Sequence, residues 1–221
     1  MKKNRRLYLF LLSSFLITRV WSAEPGNCPD SLDVYAHNKI IPEQYRLPIL
    51  TALSYFPELK ELHIIFRIRK QYAGLTTRPD FPSVFKRKNH RTYIITISNE
   101  TIDTLHLLLF ENLTFEQRVG VIGHELSHVV DFNSHNFFQT IGAGISHISA
   151  RFLDKMEFNT DRICIMHGLG EYLLAYSTHV RQVMHVHTWR GVDFVYKNDQ
   201  QHERYMNPST IRQYMYSMKQ H

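Results

Sequence analysis

The stretch TFEQRVGVIGHELSHV, residues 114–129, predicts the helix around which the rest of the fold is arranged. Thr114 can cap the first turn of this helix, and Gln117, three residues later, completes a capping box. The apolar residues that follow recur at helical spacing and predict a buried stripe: Phe115, Val119, Ile122, Leu126 and Val129.

The same helix carries the motif His124-Glu125-Leu126-Ser127-His128. Residues four apart lie one above the other on one helix face, so both imidazoles can reach a single zinc ion. Glu125 lies beside such a metal rather than pointing at it, which is where a carboxylate can take a proton from a water molecule. The motif therefore indicates two metal ligands and a general base.

A catalytic zinc site takes three protein ligands and keeps one position open, so a third ligand is required. The sequence offers Glu157 and Asp161, again four residues apart on a predicted helix. Glu157 is the candidate ligand, and Asp161 can accept a hydrogen bond from the second ring nitrogen of a ligand histidine. The alternative is that both carboxylates are surface charges paired with Lys155 and Arg162.

His-Glu-x-x-His followed by Glu-x-x-x-Asp resembles the gluzincin metallopeptidases. The text around Glu157 is similar to the branch that contains the CAAX-type membrane proteases and the small minimal gluzincins. This resemblance implies a zincin-like core and one Zn²⁺ held by His124, His128 and Glu157. It also implies that Glu125 is general base and acid, and that Asp161 supports the first histidine.

The resemblance covers roughly residues 90–180 and implies the substrate as well as the metal. Zinc polarises the scissile carbonyl and activates a water, and Glu125 passes the proton to the leaving amine. An extended peptide or unfolded protein pairs with an edge strand before the metal-binding helix, and residues 92–98 are in the right order to be that strand.

An oxyanion donor follows the third ligand in such enzymes, and six residues are candidates here: Tyr172, Tyr176, His179, Arg181, His185 and His187. His185 and His187 could instead hold a second metal, although a solvated pair is favoured. Two other readings of the whole motif stay open. One is a zinc-containing, non-catalytic peptide-binding or scaffold protein, and the other is an accidental motif in a helical core without metal.

The remaining pattern predicts an α+β fold that is predominantly helical, with a small sheet early in the chain. Strands are predicted at residues 62–68 and 92–98, with an exposed loop at 76–91 between them. Helices are predicted at 43–55, 102–110, 137–153 and 154–167, then from the break at Gly168 and Gly170 to about residue 184, and at 209–218 behind an Asn207 cap.

The first 23 residues have the basic start, short apolar run and small-residue end of a secretory signal peptide. Residues 24–221 are then predicted to form a single metallopeptidase domain, exported to the periplasm or secreted. An uncleaved N-terminal anchor is the alternative. In an oxidising space Cys28 and Cys164 can form a disulfide, or one thiol is buried and the other exposed.

The formal charge of +6 is concentrated in this leader. Removing residues 1–23 leaves 21 basic against 20 acidic residues, so the charge does not indicate a nucleic-acid partner. The cluster Phe85-Lys86-Arg87-Lys88 is interpreted as a solvated loop. No other segment is predicted to span a bilayer, so the resemblance to membrane proteases does not extend to membrane-embedded substrates.

Overall fold

The computed structural model describes residues 30–71, 74–134, 150–187 and 203–220. Within them the fold is mixed α+β and predominantly helical with one small sheet, as predicted. None of the described helices is both long and apolar enough to cross a membrane. The predicted signal peptide, residues 1–23, and residues 137–149 of a predicted helix lie outside the described residues.

The sheet has four strands in the spatial order β1-β2-β4-β3. The strands are β1 (Lys39–Ile40), β2 (His63–Arg69), β3 (Leu75–Pro79) and β4 (Thr92–Ser98). β2 pairs in parallel with both β1 and β4, whereas β3 runs antiparallel to β4. The two strands that the sequence predicts are confirmed.

The expectation that residues 92–98 form the edge strand is wrong. β4 lies between β2 and β3, and its residues from Tyr93 to Ser98 are all buried. The edge strands are β1 and β3, and β3, which packs on α2, falls largely in the segment predicted as a loop. A continuous apolar run is typical of a central strand covered on both faces, whereas the polar residues and proline of Leu75–Pro79 suit a sheet edge.

Five α-helices surround the sheet in the described residues. They are α1 (Arg46–Leu53), α2 (Phe115–Ser134), α3 (Ala150–Cys164), α4 (Gly170–Val183) and α5 (Pro208–Met218). The predicted helix at residues 102–110 is wrong in type, because Asp103–Leu108 forms a 3₁₀ segment and a second 3₁₀ turn follows at Phe110–Asn112.

α2 begins with the predicted capping box. The backbone N–H of Thr114 donates to Gln117 Oε1 at 3.0 Å, and the N–H of Gln117 donates to Thr114 Oγ1 at 3.3 Å. From residue 119 to 129 the helix is buried on every side, because α1, α3, α4 and β3 all pack on it. A Cβ at Gly120 would lie 2.2 Å from the carbonyl oxygen of Tyr172, so the absence of a side chain lets α4 approach closely.

The chain passes from α3 into α4 through a π-helical turn, Ile165–Leu169. Gly168 has φ of 87° there, a conformation that other residues rarely adopt, and this confirms the predicted break. The turn folds α4 back against α2. The pair α2 and α3 carries the candidate metal ligands, and the pair α2 and α4 lines the pocket described below.

The start of α5 differs from the prediction in one respect. Pro208 does occupy the first turn, and the N–H of Ile211 donates to the backbone oxygen of Asn207 at 3.0 Å. The Asn207 side chain does not cap the helix, however, because its Oδ1 accepts hydrogen bonds from the guanidinium of Arg181 on α4. Asn207 therefore links the start of α5 to α4 through its hydrogen bonds with Arg181.

Candidate metal centre

α2 places His124 and His128 one turn apart with both rings buried. The ring centroids are 4.8 Å apart and the ring planes are perpendicular. Only 7% of His124 and 6% of His128 is exposed, so neither imidazole is a solvated surface group. This is the arrangement that the four-residue spacing predicts.

α3 brings Glu157 against both rings. Its Oε2 lies 3.2 Å from Nε2 of His124 and 3.2 Å from Nε2 of His128. The three possible ligand atoms all lie within 4.8 Å of one another. His124, His128 and Glu157 therefore lie close enough to hold a metal ion, and the reading of Glu157 as a surface charge is not supported.

The ring nitrogens that face away from Glu157 are also engaged. Nδ1 of His124 lies 2.7 Å from Oδ1 of Asp161, and Nδ1 of His128 lies 3.1 Å from Oγ1 of Thr160. The Thr160 hydroxyl donates its own proton to the backbone oxygen of Met156, so it accepts the proton of His128. With a metal bound, both rings would carry their proton on Nδ1, and Nε2 of each ring would be the ligand atom.

Asp161 on α3 links His124 of α2 to the C-terminal part of the chain. Its second oxygen, Oδ2, accepts a hydrogen bond of 2.7 Å from the backbone N–H of Met206. Asp161 is only 3% exposed, and Arg162 beside it bonds to Asn159 instead. A carboxylate so placed stabilises the orientation of His124.

The electrostatics of the cluster favour a cation at its centre. Burial alone would lower the pKa of His124, but hydrogen bonds and charges from Asp161 and Glu157 outweigh it and raise that pKa well above 6.5. Burial alone would raise the pKa of Glu157, but the two histidines outweigh it and lower that pKa. The metal-free cluster therefore holds a proton on His124 opposite the ionised Glu157, and a divalent metal bound by the two Nε2 atoms and the carboxylate would take the place of that proton.

Glu125 is buried beside this cluster and contacts the edge strand. The hydroxyl of Thr77 on β3 donates to Oε2 of Glu125 at 2.6 Å. Thr77 pairs with Ile95 of β4, and this register turns its side chain towards α2. The sequence analysis missed Thr77, because it lies in the segment predicted as a loop; the Leu-Thr-Thr run, rich in β-formers, was the signal available.

A pocket of about 300 Å³ opens beside His124, Glu125 and Asp161. Its mouth is formed in part by Gly74 and Leu75 at the start of β3. Its walls are mainly apolar and come from the 3₁₀ segment, α2 and α4: Leu105, Leu108, Val121, Leu173, Val180 and Met184. The metal cluster therefore borders a cavity large enough for a side chain of a ligand.

Two tyrosines line this pocket. The ring centroid of Tyr205 lies 5.9 Å from that of His124. Burial, followed by the charges of Glu157 and Glu125, raises the pKa of Tyr205, and burial with the charge of Glu125 raises that of Tyr176. Both phenols therefore keep their protons at neutral pH. Tyr205 was missed by the sequence analysis because nothing in the local pattern distinguishes it.

The other oxyanion candidates lie away from the cluster or are engaged elsewhere. Arg181 lines the pocket, but its guanidinium donates to Asn207 Oδ1 and to the backbone oxygens of Tyr205 and Met206. The ring of Tyr172 packs against Tyr55, and His179 lies 3.1 Å from the backbone oxygen of Leu107. His185 and His187 are exposed, and neither belongs to the metal-ligand cluster found in the described residues.

Cys164 is a free thiol in this structure and is completely buried. Burial, with a smaller contribution from the charge of Asp161, raises its pKa well above the ordinary value. Cys28 lies outside the described residues. The structure therefore gives no support to the predicted disulfide, and Cys164 serves as core packing beneath α2.

Comparison with protein-family models, with curated proteins and with solved structures found no match for this chain. The function of this chain is therefore inferred from the geometry and chemistry of its candidate metal site.

Proposed function

We propose that this chain is a zinc-dependent metallopeptidase of the gluzincin type that hydrolyses peptide bonds of extended polypeptide. The observation that carries the proposal is the convergence of His124, His128 and Glu157, with His124 and the non-ligating Glu125 both lining a pocket. A metal site of purely structural kind needs no buried, non-ligating carboxylate next to an open cleft, whereas a hydrolytic site requires one.

Zinc is the metal that this donor set and its neighbourhood favour. Two imidazole nitrogens and one carboxylate oxygen match a catalytic zinc site, and non-haem iron enzymes use the same three donors. Glu125 favours zinc, since a general base beside the metal serves hydrolysis and has no role in oxygen activation. A bound zinc ion would supply a Lewis acid and lower the pKa of a water ligand.

The chain's own residues would then carry the proton steps. Glu125 acts first as general base, taking a proton from the attacking water, and then as general acid, giving that proton to the leaving amine. Thr77 donates to one oxygen of Glu125 and leaves the other oxygen free to face the substrate. Tyr205, a protonated phenol beside His124, is positioned to donate to the developing oxyanion.

The edge strand and the pocket support an extended peptide as the substrate. β3 is the last strand of the described sheet, and its free edge can pair with a peptide main chain. Thr77 on this strand bonds to Glu125, so a peptide paired with β3 passes the general base. The apolar walls of the pocket favour substrates with a large apolar residue near the cleaved bond.

Export remains part of this proposal. Residues 1–23 have the pattern of a secretory leader, and a peptidase acting on unfolded protein in the periplasm or outside the cell fits it.

The proposal is tested by measuring metal content and peptide cleavage together. We expect one zinc per chain, and cleavage of an unfolded protein that Glu125→Gln reduces by about 10²–10⁴-fold while zinc is retained. Glu116→Gln is the matched control, because Glu116 lies exposed on the same helix. Zinc-loaded wild type that is inert on a broad peptide library would contradict the peptidase and favour the non-catalytic peptide-binding alternative.

A further inference from the structure

The connection between β3 and β4, residues 80–91, is a folded turn that projects from the sheet. Its base is closed by Ser83, which is 2% exposed. The Ser83 hydroxyl donates to the backbone oxygen of Asp80 at 2.7 Å and accepts from the backbone N–H of Thr92 at 2.9 Å. Two short 3₁₀ turns, Phe81–Ser83 and Lys88–His90, complete it. The loop therefore has a defined shape.

This shape exposes two phenylalanines to solvent. Phe85 is 93% exposed and Phe81 is 55% exposed. Phe85 is the most exposed large apolar residue in the described part of the chain. Three residues separate the two phenylalanines, and the middle one is the buried Ser83, so the loop holds both rings outward. A protein that gained nothing from these rings would lower its aggregation tendency by replacing them.

Cations accompany the two rings. Lys86, Arg87, Lys88 and Arg91 lie in the same loop, and Asp80 is its one acidic residue. The side chains of Lys86 and Arg87 make no hydrogen bond or ion pair with the described residues, whereas the side chain of Lys88 donates to the backbone oxygen of Ser134. The tip of the loop is thus both apolar and positively charged.

We propose that residues 80–91 bind the surface of an anionic lipid bilayer. Phe85 and Phe81 enter the interface between head groups and acyl chains, while Lys86 and Arg87 contact anionic head groups. Exposed aromatic rings flanked by lysine and arginine are the combination that peripheral proteins use at such interfaces. The loop follows β3 directly, so attachment would hold the cleft close to the membrane surface.

The shape of the loop favours a bilayer over a macromolecular partner. Two rings on a protruding turn need no complementary pocket in a lipid interface, which accepts them at any lateral position. A nucleic-acid site would instead need a groove that follows the phosphates over several nucleotides. The charge of the loop tip complements anionic lipid in particular, so neutral lipid alone should not suffice.

The proposal is tested by co-sedimentation of the full chain with vesicles of phosphatidylcholine alone and of phosphatidylcholine with equal phosphatidylglycerol. We expect binding to the anionic vesicles only, weakened by added salt. The double variant F85S/R87E should lose about tenfold or more of this affinity, because it removes an inserted ring and reverses a charge. The matched control is Y216S/R212E, which makes the same changes on the exposed face of α5.

Binding of F85S/R87E at the wild-type level overturns the proposal, and so does equal loss in the control. The proposal is also overturned if the wild type binds a single-stranded oligonucleotide as tightly as it binds anionic vesicles and F85S/R87E loses that binding. The loop would then be a nucleic-acid site.

A second measurement separates the loop from the basic leader, which can itself attract anionic lipid. Trp21 and Trp189 also emit, so the wild-type emission is subtracted from that of each variant. The remaining emission of Phe85→Trp should shift to the blue when anionic vesicles are added, and that of Tyr216→Trp should not. An unshifted Phe85→Trp spectrum on protein that has bound vesicles shows that another segment attaches the chain. Circular dichroism of all variants checks that these exposed substitutions leave the fold intact.

Discussion

Two regions around the candidate metal cluster, here called the helical wall and the outer wall, differ in how they are built. The helical wall, α2 and α3, holds the three metal-ligating side chains and supports the histidines through Thr160 and Asp161. The outer wall, β3 and residues 205–206, contributes Thr77 to Glu125, and the Tyr205 ring beside His124. If the proposed function is correct, changes to the metal ligands and their supports in the helical wall should reduce metal binding. Changes to the groups around the general base, which are Glu125 itself and its contacts in the outer wall, should reduce the rate while metal is retained.

The largest effect is expected where a metal ligand is removed. Glu157→Ala should weaken zinc binding by more than about 100-fold, which exceeds what the loss of a supporting group costs, and cleavage should disappear with the metal. Zinc content after dialysis and activity on an unfolded protein measure the two losses. Glu171→Ala, an exposed glutamate on α4, is the control. Full zinc content in Glu157→Ala would remove Glu157 from the site.

A smaller effect is expected when the support of the ligands is removed. Asp161→Asn should weaken zinc binding by about 10–100-fold, because His124 loses a charged partner and the Met206 contact is altered. Thr160→Val should cost less, because Thr160 offers His128 a neutral hydroxyl in place of a carboxylate. Competition with a zinc chelator ranks the two variants. The reverse ranking would contradict the assigned roles.

The outer wall is tested through Thr77. Thr77→Val keeps the shape of the side chain but removes the hydrogen bond to Glu125, so kcat should fall by about tenfold with little change in KM. Zinc content should stay at the wild-type level, and Thr77→Ser should restore the rate. A loss of zinc in Thr77→Val would show that the two walls are not independent.

The smallest effect concerns pH in the metal-free protein. The raised pKa of His124 contributes stability that is complete below 6.5 and is lost as pH rises through that raised value. The lowered pKa of Glu157 contributes stability above 4.5 that is lost as pH falls through its lowered value. Urea unfolding of chelator-treated protein at several pH values should therefore show stability declining on the alkaline side, and His124→Gln should remove that decline.

Local pattern predicted the helical wall well. His124, Glu125 and His128 share one helix, and Glu157 with Asp161 shares another, so four-residue spacing alone placed each pair on one face. Local pattern also predicted three other features: the bounds of β4, the capping box at Thr114 and the break at Gly168. Each depends on contacts within a few residues of sequence.

The outer wall could not be predicted in this way. The sequence alone determined which side chains can act together on one helix. Only the tertiary structure made β3 the edge strand, turned Thr77 towards Glu125 through its register with Ile95, and brought Tyr205 next to His124 from more than 75 residues away. The physical reason is that sheet order and the docking of a distant segment are decided by burial summed over the whole core, which no local pattern records.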